Sequence, residues 1–70
     1  MKRIRLEDYK GDGVYIDLDT QYIPYQKLIF DTEKYLNKYT KYYFHCKHGV
    51  KSKEVVMSLD EKGYNATQII

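Results

Sequence analysis

The sequence predicts an α/β fold, with a small, mainly parallel sheet and flanking helices. Short runs rich in β-branched and aromatic residues alternate with stretches that carry helix-start and helix-stop signals. That alternation builds parallel sheets through right-handed crossovers. The most strand-like run, "YYFHC" at 42–46, has no lysine, arginine or carboxylate, as suits a central strand. Seventy residues leave room for one core, so residues 1–70 form a single domain.

The elements follow in order. "RIRL" at 3–6 alternates charge and apolarity as a short strand does. Gly11-Asp12-Gly13 is a turn signal, and "VYIDL" at 14–18 reads as the next strand. "DTQYIPYQ" at 19–26 is expected to be a loop, since Pro24 is unsuited to a central strand and restricts Ile23. "KLIF" at 27–30 reads as another short strand. Asp31 or Thr32 would cap a helix running to about Lys38, with Tyr35, Leu36 and Tyr39 on one side.

After the strand at 42–46 and a loop at 46–51, Ser52 would cap a helix extending to Lys62. Val55, Val56 and Leu59 form its buried stripe, with Met57 at the margin. Gly63 falls where a left-handed residue ends a helix, and Tyr64 can fold back as its apolar partner. "ATQII" at 66–70 closes the sheet. In such sheets function collects beyond the carboxyl ends of the strands, and Cys46 ends the central one.

Composition narrows the class. A chain of this length buries only about 60% of the surface its unfolded form exposes. Its single cysteine excludes an internal disulfide. Nine tyrosines and two phenylalanines, with no tryptophan, supply much of the apolar area. A tyrosine buries its ring while its hydroxyl stays wet, which suits a thin domain.

The net charge of +2 is too small for a dedicated nucleic-acid binder. Its distribution matters more. Lysines 34, 38, 41, 47, 51 and 53 fall in a stretch without any acid, so the surroundings of Cys46 favour an anion or a thiolate. "MKRIRLEDYK" has no apolar run behind its charges, so neither a signal peptide nor a membrane span is expected. An unpaired thiol without an export signal fits a cytoplasmic location.

Chemistry is expected at Cys46 and the loop of Lys47, His48, Gly49, Val50, Lys51 and Ser52. A tight loop between a strand end and a helix start turns several backbone N–H groups inward, and the helix dipole adds positive potential. A thiol there ionises more readily. Lys47 and Lys51 add charge, and Gly49 keeps a Cβ out of the cradle. The implied chemistry is attack by the Cys46 thiolate on an electrophilic anion.

The stretch "YYFHCKHGVKSKEVVMSLDEKGYNATQI" resembles the second half of a single-domain rhodanese, a sulfurtransferase. That family's pattern is an apolar strand, Cys-x-x-Gly-x-Arg-Ser, a helix with a leucine, then Gly-Tyr/Phe and a closing strand. Cys46, Gly49, Ser52, Leu59, Gly63 and Tyr64 stand at the matching positions, with Lys51 where arginine is usual. "YIDL" is similar to the family's Ile-Asp-Val-Arg, and "YIPYQKLI" to its His-Ile-Pro-Gly-Ala-x-x-Ile.

The sequence also departs from the family. Asp19 stands in place of the arginine, Tyr22 in place of the histidine, and the segment between them is short. Ile70 precedes the usual Gly-Gly-x-x-x-Trp stretch. The resemblance therefore implies a reduced rhodanese-like domain, truncated relative to the family.

The resemblance implies an enzyme in which Cys46 takes the outer sulfur of thiosulfate or a persulfide donor. The resulting Cys46 persulfide passes it to a thiol or cyanide. The partners are then a small anionic donor and a thiol acceptor, with no cofactor and no metal. The backbone from Lys47 to Ser52 would hold the persulfide, and Lys47 and Lys51 would attract the donor. The alternative is a catalytically weak rhodanese-like module that docks a protein partner or self-associates.

Other chemistries fit less well. Cysteine phosphatases need His-Cys-x5-Arg, but the residue six after Cys46 is Ser52, and the only arginines are Arg3 and Arg5. His45 and Cys46 point to opposite faces of a strand, and no further pair completes a metal site with His48. Asp17 and Asp19 lack the glycine and terminal glutamate of a calcium loop, so Asp17 is expected to bond nearby loop amides. Lysines interleaved with tyrosines at 34–53 could track a nucleic acid, but Tyr42, Tyr43 and Phe44 are expected inside the sheet.

Overall fold

A computed structural model describes residues 1–20 and 23–70. The Tyr22 position, one of the departures from the family pattern, lies outside the described residues. Strands β1 (Lys2–Ile4), β2 (Val14–Asp17), β3 (Lys41–His45) and β4 (Asn65–Ile69) form one sheet in the order β1-β4-β3-β2. Every neighbouring pair is parallel. The expected α/β class with a parallel sheet is the observed one, and the run at 42–46 supplies an interior strand.

Alternation along the strands sorts their side chains onto two faces. Tyr42 and Phe44 of β3, Ala66 of β4 and Ile16 of β2 lie on one face. They pack against helices α1 (Tyr25–Phe30) and α3 (Val50–Glu61), which contribute Leu28, Val55, Val56 and Leu59. Phe44, Val55, Val56, Leu59 and Ala66 are fully buried. Each large apolar side chain buried this way contributes about 1.5–3 kcal/mol. The short α2 (Thr32–Tyr35) completes this layer, with Leu36 packed beneath it.

Tyr15, Tyr43, Thr67 and Ile69 face the other way. Residues 5–13 cross behind them, with the Tyr9 ring 5.5 Å from that of Tyr15 and 4.7 Å from that of Tyr43. This division follows from handedness. The β1-to-β2 connection steps across the whole sheet in one direction, while β2 to β3 and β3 to β4 step back. Right-handed crossovers that step in opposite directions pass over opposite faces.

Several expected boundaries differ from those observed. The strand expected at 3–6 is Lys2–Ile4, with Leu6 already in a 3-10 turn, and α1 begins at Tyr25, inside the loop expected at 19–26. "KLIF" belongs to α1 and is not a strand. Tyr25, Leu28 and Ile29 sit at helical spacing against the core, and Phe30 points into solvent. Pro24 begins that helix, the end at which a missing N–H costs nothing. The helix expected to reach Lys38 stops at Tyr35, because Leu36 turns extended to enter the core.

Asn37 then folds back, accepting bonds from the Tyr39 N–H and the Thr40 hydroxyl, and Tyr39 is wholly exposed. Neither Asp31 nor Thr32 caps α2 through its side chain. The Thr32 hydroxyl instead donates to the Leu28 and Ile29 carbonyls at the end of α1. Finally, Gly49, not Ser52, occupies the cap position of α3.

The end of α3 is as expected. Gly63 is left-handed at φ 84°. Its N–H donates to the Asp60 carbonyl and the Tyr64 N–H to that of Leu59, and the Tyr64 ring is buried. This double bond pattern satisfies carbonyls that a helix end leaves open. No described helix is long and apolar enough to cross a membrane.

At the opposite end of the sheet, the turn at 11–13 is pinned to β3. Asp12 accepts bonds from Lys41 Nζ at 2.8 Å and the Tyr43 hydroxyl at 2.7 Å. Lys41 foremost, then Tyr43, holds the Asp12 carboxyl at about 2, below its ordinary value of 3.8. The folded value is the lower one, so the carboxylate's contribution to stability is present above the ordinary value. It is lost as pH falls through about 2. An NMR titration should place the Asp12 carboxyl midpoint near 2, and Lys41→Met should move it up toward 3.8.

A Cβ on Gly13 would lie 2.6 Å from the Lys41 carbonyl oxygen and 3.0 Å from the Tyr43 ring. Both are parts of the sheet, and neither can yield cheaply. Gly13→Ala should therefore destabilise the fold by about 1–3 kcal/mol in thermal or urea melts.

Candidate functional site at the end of β3

Parallel pairing brings the ends of β2, β3 and β4 to one rim, and the loop from Cys46 to Gly49 leaves from that rim. Cys46 follows β3 with its side chain on the helix-packed face, among the core residues. It is 5% exposed, so the thiol lies inside the fold, at the foot of the loop.

Gly49 gives the loop its shape. At φ 76° it occupies the left-handed region, where a side chain would cost about 1–2 kcal/mol. The turn lets α3 begin at Val50, so Ser52 falls within the first helical turn and faces back toward Cys46. The Ser52 N–H donates to Cys46 Sγ at 3.3 Å. The Cys46 thiol donates to Ser52 Oγ at 3.3 Å, and that hydroxyl donates to the Gly49 carbonyl at 3.4 Å.

These contacts set the acidity. Burial pushes the Cys46 thiol up. The Ser52 hydroxyl, followed by the backbone N–H groups of Ser52, Gly49 and Lys51, outweighs it and holds the thiol below its ordinary value. When the thiol proton leaves, the Ser52 hydroxyl is free to turn its own hydrogen toward the sulfur. The Gly49 carbonyl is not left unpaired by that turn, because Gln68 Nε2 donates to it at 3.0 Å.

Gln68 has a second bond here, from Nε2 to Ser52 Oγ at 2.9 Å, and is buried. It therefore holds both the loop and the serine. The sequence pattern puts Gln68 in the closing strand and gives it no role. Its signal was a polar residue two positions after Ala66, in the phase of β4 that faces the helices.

Asp19 is the other contributor whose role here the sequence does not show, since there it stands only as a departure from the rhodanese pattern and, with Asp17, as an incomplete calcium loop. Its carboxylate accepts the Lys47 N–H at 2.6 Å and lies 3.3 Å from Lys51 Nζ. The Lys47 N–H foremost, with Lys51 and His48 adding, holds Asp19 below the usual carboxylate range against burial. Asp19 thus clamps the loop from the β2 side. Asp17 has the local role expected of it, accepting the Asp19 N–H at 2.9 Å.

The expected site residues divide accordingly. Cys46, Gly49 and Ser52 form the sulfur cradle. Lys47 and Lys51 are joined to Asp19, while His48 and Val50 are exposed. An open groove of about 820 Å³ lies beside Cys46, and Lys47, His48, Gly49 and Val50 help line it. His45 points to the opposite face, where its Nδ1 pairs with the Tyr15 hydroxyl at 3.1 Å. Among the described residues, no three His, Cys, Asp or Glu side chains converge as a metal site.

Iodoacetamide labelling of Cys46 across a pH series should show a midpoint below the roughly 8.5 of a free thiol. Ser52→Ala keeps the backbone donors and removes the hydroxyl. It should raise that midpoint and slow labelling at neutral pH.

Comparisons of the chain with protein-family models, with curated proteins and with solved structures return no match, so the rhodanese resemblance rests on the motif residues themselves.

Proposed function

We propose that the protein is a rhodanese-type sulfurtransferase that carries a sulfane sulfur on Cys46. The observation that supports this reading most is the paired contact of Ser52 with the Cys46 sulfur: its N–H donates to Sγ and its hydroxyl accepts from the thiol, at 3.3 Å each. An N–H already aimed at a sulfur, beside a hydroxyl that need only turn its hydrogen, stabilises negative charge there, and that charge is present on the thiolate and again on the persulfide.

The chemistry balances without a cofactor. The thiolate attacks the outer sulfur of thiosulfate, a sulfur–sulfur bond forms, and the original one breaks with sulfite leaving. The bonding pair of the broken bond departs with sulfite, and no external oxidant enters. An acceptor thiolate then attacks the outer sulfur of the Cys46 persulfide and regenerates the thiolate. A thiol that cycles this way belongs in a reducing cytoplasm.

Intact-mass spectrometry tests the proposal. Incubation with thiosulfate or a persulfide donor should add one sulfur atom, and cyanide or a reducing thiol should remove it. Cys46→Ser should abolish the addition, because a hydroxyl is a poor nucleophile at neutral pH. Folded wild-type protein that gains no sulfur from any donor would overturn the proposal in favour of a protein-docking module.

A further inference from the structure

The groove beside Cys46 has a lining that the loop alone does not account for. Arg3, from the far edge strand, is part of it, as are Lys53 and the exposed apolar side chains Val50, Met57 and Ile70. Lys51 is not, and its ammonium is turned to Asp19. The cation that occupies the family's arginine position is thus paired away from the groove, while an arginine from another strand lies within it.

Strand order explains the placement. β1 joins the sheet beside β4, and in that register Arg3 is opposite Gln68. Partners in register share a face, so Arg3 emerges on the side that carries Gln68 and the Cys46 cradle. Among the described residues Arg3 has no carboxylate within ion-pair distance. Glu54 is the one acidic side chain in the lining, against Arg3, Lys47 and Lys53.

Size and polarity then indicate the ligand. About 820 Å³ lies within the range of sites for organic molecules and is far more than an inorganic oxyanion fills. The apolar side chains would gain little from thiosulfate, but they suit a carbon stem. A guanidinium matches a carboxylate through two parallel bonds. Gln68, 3% exposed and part of the groove wall, has a side-chain oxygen without a donor among the described residues. An N–H on the same stem is the complement it lacks.

We infer that the groove takes a small organic persulfide or thiol bearing a carboxylate, of the cysteine-derivative kind, and that Arg3 anchors that carboxylate. The inference rests on the sulfur-transfer reading for its reaction, though not for its binding geometry. In the transfer step the Cys46 thiolate attacks the outer sulfur of R–S–SH. The donor's S–S bond breaks, its electron pair leaves on R–S⁻, and R–S⁻ takes the persulfide proton, giving R–SH and the Cys46 persulfide anion. The carboxylate on R stays bound and unchanged.

Two pairs of reagents, each an acid and its amide, separate the anchor from the reaction. The first is iodoacetate against iodoacetamide, read as the ratio of Cys46 alkylation rates by intact mass. The second is the persulfide of N-acetylcysteine against that of its amide, read as sulfur added per unit time. Wild-type protein should favour the acid of each pair. Arg3→Gln should reduce the acid-to-amide ratio about fivefold, the scale of one part-exposed ion pair. Arg3→Lys should retain most of the preference, and Lys51→Gln should cost clearly less of it than Arg3→Gln does.

Circular dichroism confirms that each variant is folded. An unchanged ratio in folded Arg3→Gln, or an equal loss in Lys51→Gln, would overturn the anchor even if sulfur transfer proceeds. Should neither persulfide load sulfur, the sulfurtransferase reading fails, and the alkylation ratios still decide the role of Arg3.

Discussion

β3 is hydrogen-bonded on both sides to strands that run its own way, β2 through Val14–Asp17 and β4 through Asn65–Ile69. Parallel neighbours cannot be joined by a tight hairpin, so each connection must return along the length of the sheet. In a chain of 70 residues those returns consume most of the sequence outside the strands. The same constraint collects the carboxyl ends of the strands at one rim. Asp19 after β2, Cys46 after β3 and Gln68 near the end of β4 meet there from distant parts of the sequence, and Arg3 joins them from β1. The site is therefore a product of the pairing pattern as much as of the loop motif.

The cradle depends on balancing opposed effects at one sulfur. A buried thiol resists ionisation because the protein interior solvates a thiolate poorly. Ser52 and the backbone donors reverse that tendency, and Gln68 keeps Ser52 and the Gly49 carbonyl in place whichever way the serine hydroxyl turns. A fully exposed cysteine would ionise without help but would keep no geometry, and a cysteine buried among apolar groups alone would stay protonated. Burial with directed donors gives both order and charge.

Much of the fold was legible from local pattern. The β-branched and aromatic runs located β2, β3 and β4, and the Gly63-Tyr64 pair located the end of α3, because each of those signals depends on a few adjacent residues. "KLIF" was not legible as a helix. Four apolar residues fit a buried strand as well as a helical turn, and only Tyr25 before them and exposed Phe30 reveal helical spacing. The short α2 was overestimated because Leu36 leaves the helix for the core, a tertiary effect. At the site, Cys46, Gly49 and Ser52 could be read from their spacing. Asp19, Gln68 and Arg3 could not, since their relevance depends on strand order.

The charges near the loop divide by the strand that answers them. Acid-free sequence around Cys46 suggested one positive field made by the lysines together. In the folded chain Asp19 takes the Lys47 N–H and faces Lys51, so the β2 side of the loop is locally balanced and mechanically fixed. Positive charge without that compensation is left on the other side, with Arg3 and Lys53 at the groove. Asp19 thus ties down Lys51, and the arginine of the groove comes from the short edge strand β1. Loop anchoring and positive charge not answered by Asp19 are thereby separated onto opposite sides of Cys46.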